Sequence, residues 1–120
     1  MIRIKRVYDP VSAGEGKRIL IDRLWPRGIK KENAHVDEWI KDIAPSDDLR
    51  KWFSHDLTKW QEFKKRYISE LKAKSDLMAR ILSESKKGTV TLLFAAKDIE
   101  HNNAVVLKDI LGRKHLKGAL

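Results

Sequence analysis

Cysteine is absent from the 120 residues, which excludes disulfides and thiolate metal sites. The absence fits a reducing compartment. Long apolar runs are absent too, and none approaches the ~20 residues a membrane-spanning helix needs. The opening MIRIKRVYD alternates charge with apolar residues, unlike a signal peptide or an anchor. There is no internal repeat, low-complexity segment or linker, and no G-x-S-x-G or phosphate-loop motif. The four histidines, His35, His55, His101 and His115, have no ligand spacing, so neither a metal nor a cofactor is expected. These absences leave one cytoplasmic domain over residues 1–120 as the default, with 113–120 expected as a flexible basic tail.

What is present is a globular composition, 42% hydrophobic, and enough chain to bury a core without staples. The net charge of +9 is uneven. Residues 1–31 carry +6, 32–62 carry −4, 63–87 carry +5 and 88–120 carry +2. A basic balance favours anionic partners, and the plainer reading is solvated lysines serving solubility. Lys64, Lys65, Arg66, Lys72 and Lys74, with 113–117, form a surface able to track a phosphate backbone. The aromatics nearby sit at core spacing instead of on an exposed platform, which weakens a nucleic-acid reading.

The hydropathy pattern predicts strands over 2–7 and 18–24, with turn chemistry between them at 9–16. Asn33 is a candidate cap for a helix over 34–43, where Val36, Trp39, Ile40 and Ile43 repeat at i, i+3, i+4 and i+7. Ser46 caps a second short helix whose first turn holds Asp47 and Asp48. A long helix is predicted over 57–73, and another from Ser75-Asp76 to Lys86-Lys87-Gly88. Residues 89–96, TVTLLFAA, read as a strand covered on both faces. A polar turn, 97–103, and a last helix ended by Gly112 complete an α/β pattern. The expected fold is a small, mostly parallel sheet of three to four strands covered by helices, three-layered and Rossmann-like.

Ligands of such sheets sit beyond the carboxyl ends of the strands. Two side-chain-rich loops leave those ends: IDRLWPRG (21–28) and KDIEHNN (97–103). In the first, Arg23 and Arg27 offer donor forks suited to phosphate or carboxylate, and Trp25 offers a ring to wall a pocket. Asp22 either orients Arg23 or acts as a base. In the second, Lys97 supplies charge and His101 is the best-placed histidine for proton transfer. Asn102 or Asn103 is a natural helix cap and a ligand-orienting amide. Ser46 and Arg50, four apart, share a helix face from which Arg50 and His55 reach toward the same edge. For each group the competing reading is structural: an ion pair, a core tryptophan, a capped turn.

The segments RVYDP, IDRLWPRG, APS, LRKWFSHD, W..F...Y..EL and TLLFAAKD..HNNA together resemble domain-of-unknown-function family 488, in its YeaO-like branch. The resemblance covers nearly the whole chain. It implies an α/β fold and no established reaction. In the wider family the strand-three turn often carries Cys-His-Arg. Here it reads His101-Asn102-Asn103, so thiol chemistry does not carry over. Only residues 9–17 separate the first two strands, short for a crossover of a dozen or more residues, which leaves their parallel pairing in question. The expected function is an enzyme or a binding domain for a small phosphate- or nucleotide-like anion. The alternatives are a structural, partner-binding protein and a non-specific nucleic-acid module.

Overall fold

A computed structural model describes residues 1–119, with side chains through Arg113. The strands are β1 (Ile2–Arg6), β2 (Lys17–Leu20), β3 (Glu38–Trp39) and β4 (Val90–Phe94). The helices are α1 (Lys31–Ala34), α2 (Asp47–Phe53), α3 (Trp60–Lys72), α4 (Ser75–Lys87) and α5 (Asn103–Ala119). The sheet order is β1-β4-β2-β3, and every neighbouring pair is parallel. This is an α/β fold.

The continuously apolar β4 takes a central place, with all five residues buried. Its alternate side chains serve two cores. Val90, Leu92 and Phe94, with Ile19 and Ile21, pack under α2–α5, where Phe63, Tyr67, Leu71, Met78, Ile81 and Leu107 meet them. Leu93 and Leu20 face the other way, onto Val7, Trp25, Ile29, Val36 and Trp39. That second face is covered by two connections, 7–16 and 21–37, which hold only the four-residue α1. The cover is thus thick on one face and thin on the other.

β1 and β2 do not pair with each other. Both pair parallel with β4, which lies between them. The link 7–16 must return along a strand and step across two spacings of ~4.8 Å, roughly 19 Å in all. Ten extended residues reach ~33 Å, so a helix is unnecessary. Gly16 makes the landing possible. Its φ is +64°, and a Cβ there would lie 1.9 Å from the Thr89 carbonyl oxygen.

Several expected boundaries move. The helix over 34–43 does not form. Asn33 lies inside α1 instead of capping a helix, His35 turns left-handed, Glu38–Trp39 pair with β2, and Lys41–Ile43 make one 3-10 turn. The physical reason is that Val36 and Trp39 pack on one face of the sheet while Ile40 and Ile43 pack on the other. β2 ends at Leu20 instead of residue 24, so Asp22 and Arg23 stand just past the strand. The long helix begins with a separate 3-10 turn at Leu57–Lys59, capped by Asp56. α4 starts at Ser75 without a side-chain cap. α5 runs through Gly112 to Ala119, since glycine weakens a helix without obliging it to stop. The expected flexible tail, 113–120, thus has helical backbone through Ala119, and the side chains of Lys114, His115 and Lys117 lie outside the described residues. No helix among the described residues is long and apolar enough to cross a membrane.

Candidate functional site at the carboxyl edge of the sheet

Because all four strands run the same way, the segments leaving β2 and β4 emerge on one edge. Asp22 is their meeting point. Its Oδ2 accepts from the Ala95 N–H at 2.9 Å, and its Oδ1 accepts from Asn103 Nδ2 at 3.1 Å. The same Asn103 amide donates to the Ile21 carbonyl at 3.0 Å, and Trp39 Nε1 donates to the Asp22 carbonyl at 2.7 Å. Burial pushes the Asp22 carboxyl above its ordinary range, against the pull of Ala95, Asn103 and the nearby His55 charge.

Asn102 caps α5. Its Oδ1 accepts from the Val105 N–H at 3.0 Å while its Nδ2 holds the Asp98 carbonyl. His101 Nδ1 lies 3.0 Å from Asp98 Oδ2. The Glu100 N–H, helped by His101, holds the Asp98 carboxyl below its ordinary range. The His101 ring stands edge-on to Trp60, with centroids 5.1 Å apart. Phe53 lies 5.9 Å from Trp60 and 6.2 Å from His55. The contacts therefore run in series from Asp22 through Asn103 and the 101–103 turn to Trp60, Phe53 and His55, whose charge is felt at Asp22. Lys64 Nζ lies 5.7 Å from the Trp60 ring centroid, and Lys97 is exposed.

The remaining candidates are placed elsewhere or are bound up locally. Arg23 donates through Nε to the Pro45 carbonyl at 3.0 Å and through Nη2 to the Ala44 carbonyl at 3.2 Å. Lys74 Nζ reaches the Ala44 carbonyl too, and the Tyr67 hydroxyl donates to the Ile43 carbonyl. Ser46 donates through N and Oγ to the Glu70 carboxylate, and its Oγ accepts from the Leu49 N–H as the cap of α2. Side chains thus hold the carbonyls of residues 43–45 and the Ser46 N–H. Burial and the Arg23 charge together lower the Lys74 pKa, and burial pushes Tyr67 up. Trp25 packs edge-on to Trp39 at 5.4 Å and donates to the Ile29 carbonyl. Arg27 is exposed, and its carbonyl accepts from the Tyr8 hydroxyl. Arg50 is exposed and bridges to Asp47.

Asp22, His101, Asn102, Asn103 and Lys97 are therefore gathered at one edge. Arg23 and Ser46 belong to the bracing of 43–46, and Arg50 pairs along its own helix. Trp60 and Phe53 are the members of that series that sequence reasoning missed, because their spacing along α3 and α2 is that of core residues. Among the described residues no group of three or more His, Asp or Glu is arranged to hold a metal ion.

A model of the family described as "Inactive DUF488-N3 subclade" matches residues 1–118. The "Uncharacterized protein YeaO" of Escherichia coli is 46% identical over 110 residues, covering 92% of this chain and 96% of that protein. Two mycobacterial proteins are each 36% identical over 110 residues and 92% of both chains: "Uncharacterized protein Mb3100c" of Mycobacterium bovis and "Uncharacterized protein Rv3073c" of Mycobacterium tuberculosis. No solved structure matches significantly. The chain belongs to the inactive DUF488-N3 subclade.

Proposed function

We propose, from membership of a subclade described as inactive and from the geometry of the carboxyl edge, that this protein binds a small nucleotide-like anion and does not transform it. The observation that carries the reading is Asp22. A half-buried carboxylate, held at the strand ends by the Ala95 N–H and the Asn103 amide, is an acceptor suited to the N–H groups of a planar ring. The His101–Trp60 pair offers a wall for that ring. Lys64 and Lys97 supply the charge that a phosphate needs. Arg23 and Ser46 contribute rigidity by fixing the loop before α2, so the anion is met by lysine and histidine instead of by an arginine clamp.

Thermal-shift titration with nucleoside monophosphates, the matching nucleosides and inorganic phosphate tests this reading. A nucleoside monophosphate is expected to stabilise the wild type. Asp22→Asn and His101→Ala are expected to lose that shift while still folding. A screen in which no nucleotide stabilises the wild type, or in which all variants respond alike, overturns it.

A second reading has its own observation. Leu24, Leu57 and Ile99 are 58%, 56% and 63% exposed, and each lies two residues from Asp22, His55 or His101. Exposed apolar side chains beside these polar residues also suit a protein partner laid over the same edge. Leu24→Ser with Ile99→Ser separates the two. The pair weakens a partner complex and leaves a small-ligand shift intact.

A further inference from the structure

At the opposite margin of the sheet, β1 is an edge strand, and its backbone can be followed atom by atom. Val90 N donates to the Met1 carbonyl and Val7 N donates to the Phe94 carbonyl, with Arg3 opposite Thr91 and Lys5 opposite Leu93. A parallel ladder engages alternate residues, so residues 1, 3, 5 and 7 face β4. The N–H and C=O of Ile2 and Ile4, and the N–H of Arg6, point outward. The Arg6 carbonyl accepts from Asp9 N. Among the described residues no strand lies beyond this edge.

Beside it runs a groove of about 520 Å³, lined by Ile4, Val105, Lys108, Asp109, Gly112 and Arg113. A Cβ at Gly112 would meet nothing within 4 Å, so the floor of the groove is open there. We propose that β1 receives an extended acidic peptide as a fifth strand, with apolar side chains lying in this groove. Backbone pairing would supply affinity and alternate side chains the specificity, as in other strand-addition sites. Five residues of β1 admit a segment of about five residues.

Charge selects the occupant. β1 carries Arg3, Lys5 and Arg6 and no carboxylate, and beside it Lys108 is exposed while Arg113 is bridged to Asp109 at 2.8 Å. Cations on an edge strand guard against self-pairing. In a two-fold antiparallel pairing centred on Ile4, Arg3 would face Lys5 of the second copy, and like charges directly opposite are destabilising. The same cations attract a strand whose outward residues are glutamate or aspartate. Lys5 is already paired with Glu15 at 2.7 Å, so on the face the glutamates would share, opposite the groove, Arg3 carries the attraction.

The test uses the full chain and a fluorescein-labelled eight-residue peptide of alternating valine and glutamate. A valine–lysine peptide and an N-methylated valine–glutamate peptide serve as controls. Fluorescence anisotropy is expected to show binding of the first peptide, and at least tenfold weaker binding of both controls. Hydrogen exchange at the Ile2 and Ile4 amides is expected to slow on binding. Ile4→Pro removes an outward N–H without touching the β4 ladder, and Arg3→Glu reverses an exposed charge. Each is expected to weaken binding at least tenfold, the second without altering the melting temperature. Absence of binding at low salt overturns the proposal. So does equal binding of the N-methylated peptide, or protection that spares Ile2 and Ile4. A wild-type dimer dissociated by Ile4→Pro overturns it in favour of a second copy.

Discussion

Two carboxylates respond to pH in opposite senses. Glu15 is 4% exposed, yet it accepts from Lys5, from Ser12 and from the Arg18 guanidinium. Burial alone would raise its pKa. The Lys5, Ser12 and Arg18 contacts outweigh burial and lower it from 4.5 to about 2. A depressed folded pKa contributes stability above the unfolded value, and that stability is lost as pH falls through the folded one. Glu15→Gln is therefore expected to be less stable than wild type at pH 7, with the gap closing between pH 4.5 and about 2. Urea midpoints across that range measure it, and a gap independent of pH refutes the assignment. Asp22 runs the other way. Its raised folded pKa means that its favourable contribution is complete below 3.8 and is lost as pH rises through the folded value. Asp22→Asn removes one acceptor but also relieves a buried charge, so its net cost at pH 7 is expected to be within about 1 kcal/mol. Its deficit relative to wild type is expected to be larger at pH 3.5 than at pH 7 in the same urea series. A deficit that grows with pH instead would show that ionised Asp22 is stabilised by its surroundings.

Among elements, the landing of β2 beside β4 depends on one residue. Gly16 combines a left-handed φ with a carbonyl oxygen where a side chain would begin. Gly16→Ala is expected to cost at least about 2 kcal/mol, through backbone strain and displacement of Thr89. A urea midpoint close to that of wild type would show that the crossover can shift freely. The glycine was legible in the sequence as turn chemistry, but its partner Thr89 was not, because a contact 73 residues apart leaves no local signature. Ser46 as a helix cap, β4 as a doubly covered strand and the 97–103 turn before α5 were legible from local rules. Those rules failed at 34–43 because hydrophobic period counts apolar residues without knowing which core each one serves. Val36 and Trp39 belong to one core, Ile40 and Ile43 to the other. At the candidate site, polarity marked both loops, yet nothing local separated Asp22, which joins β4 and α5, from Arg23, which turns away to the 44–45 carbonyls.

Over the whole molecule, the parallel sheet separates two margins with different chemistry. The carboxyl edge carries Asp22, His55, His101 and Trp60 along one series of contacts. The β1 margin presents open backbone and cations. The net charge of +9 acts over both, and attraction to a phosphate backbone follows from it without any specific contact. Such attraction weakens steeply with salt because each neutralised phosphate releases a counterion. A ligand held by Asp22 and a ring wall depends much less on salt, since its contacts are short and partly buried. Wild type is therefore expected to retain a single-stranded oligonucleotide at about 20 mM salt and to release it by about 200 mM, with affinity falling at least tenfold. Asp22→Asn is expected to leave that retention unchanged, and Arg3→Glu with Lys108→Glu to reduce it. Filter binding across the salt series measures all three proteins. Retention that persists at 200 mM, or that Asp22→Asn abolishes, would move nucleic acid from a consequence of overall charge to the ligand of the carboxyl edge itself.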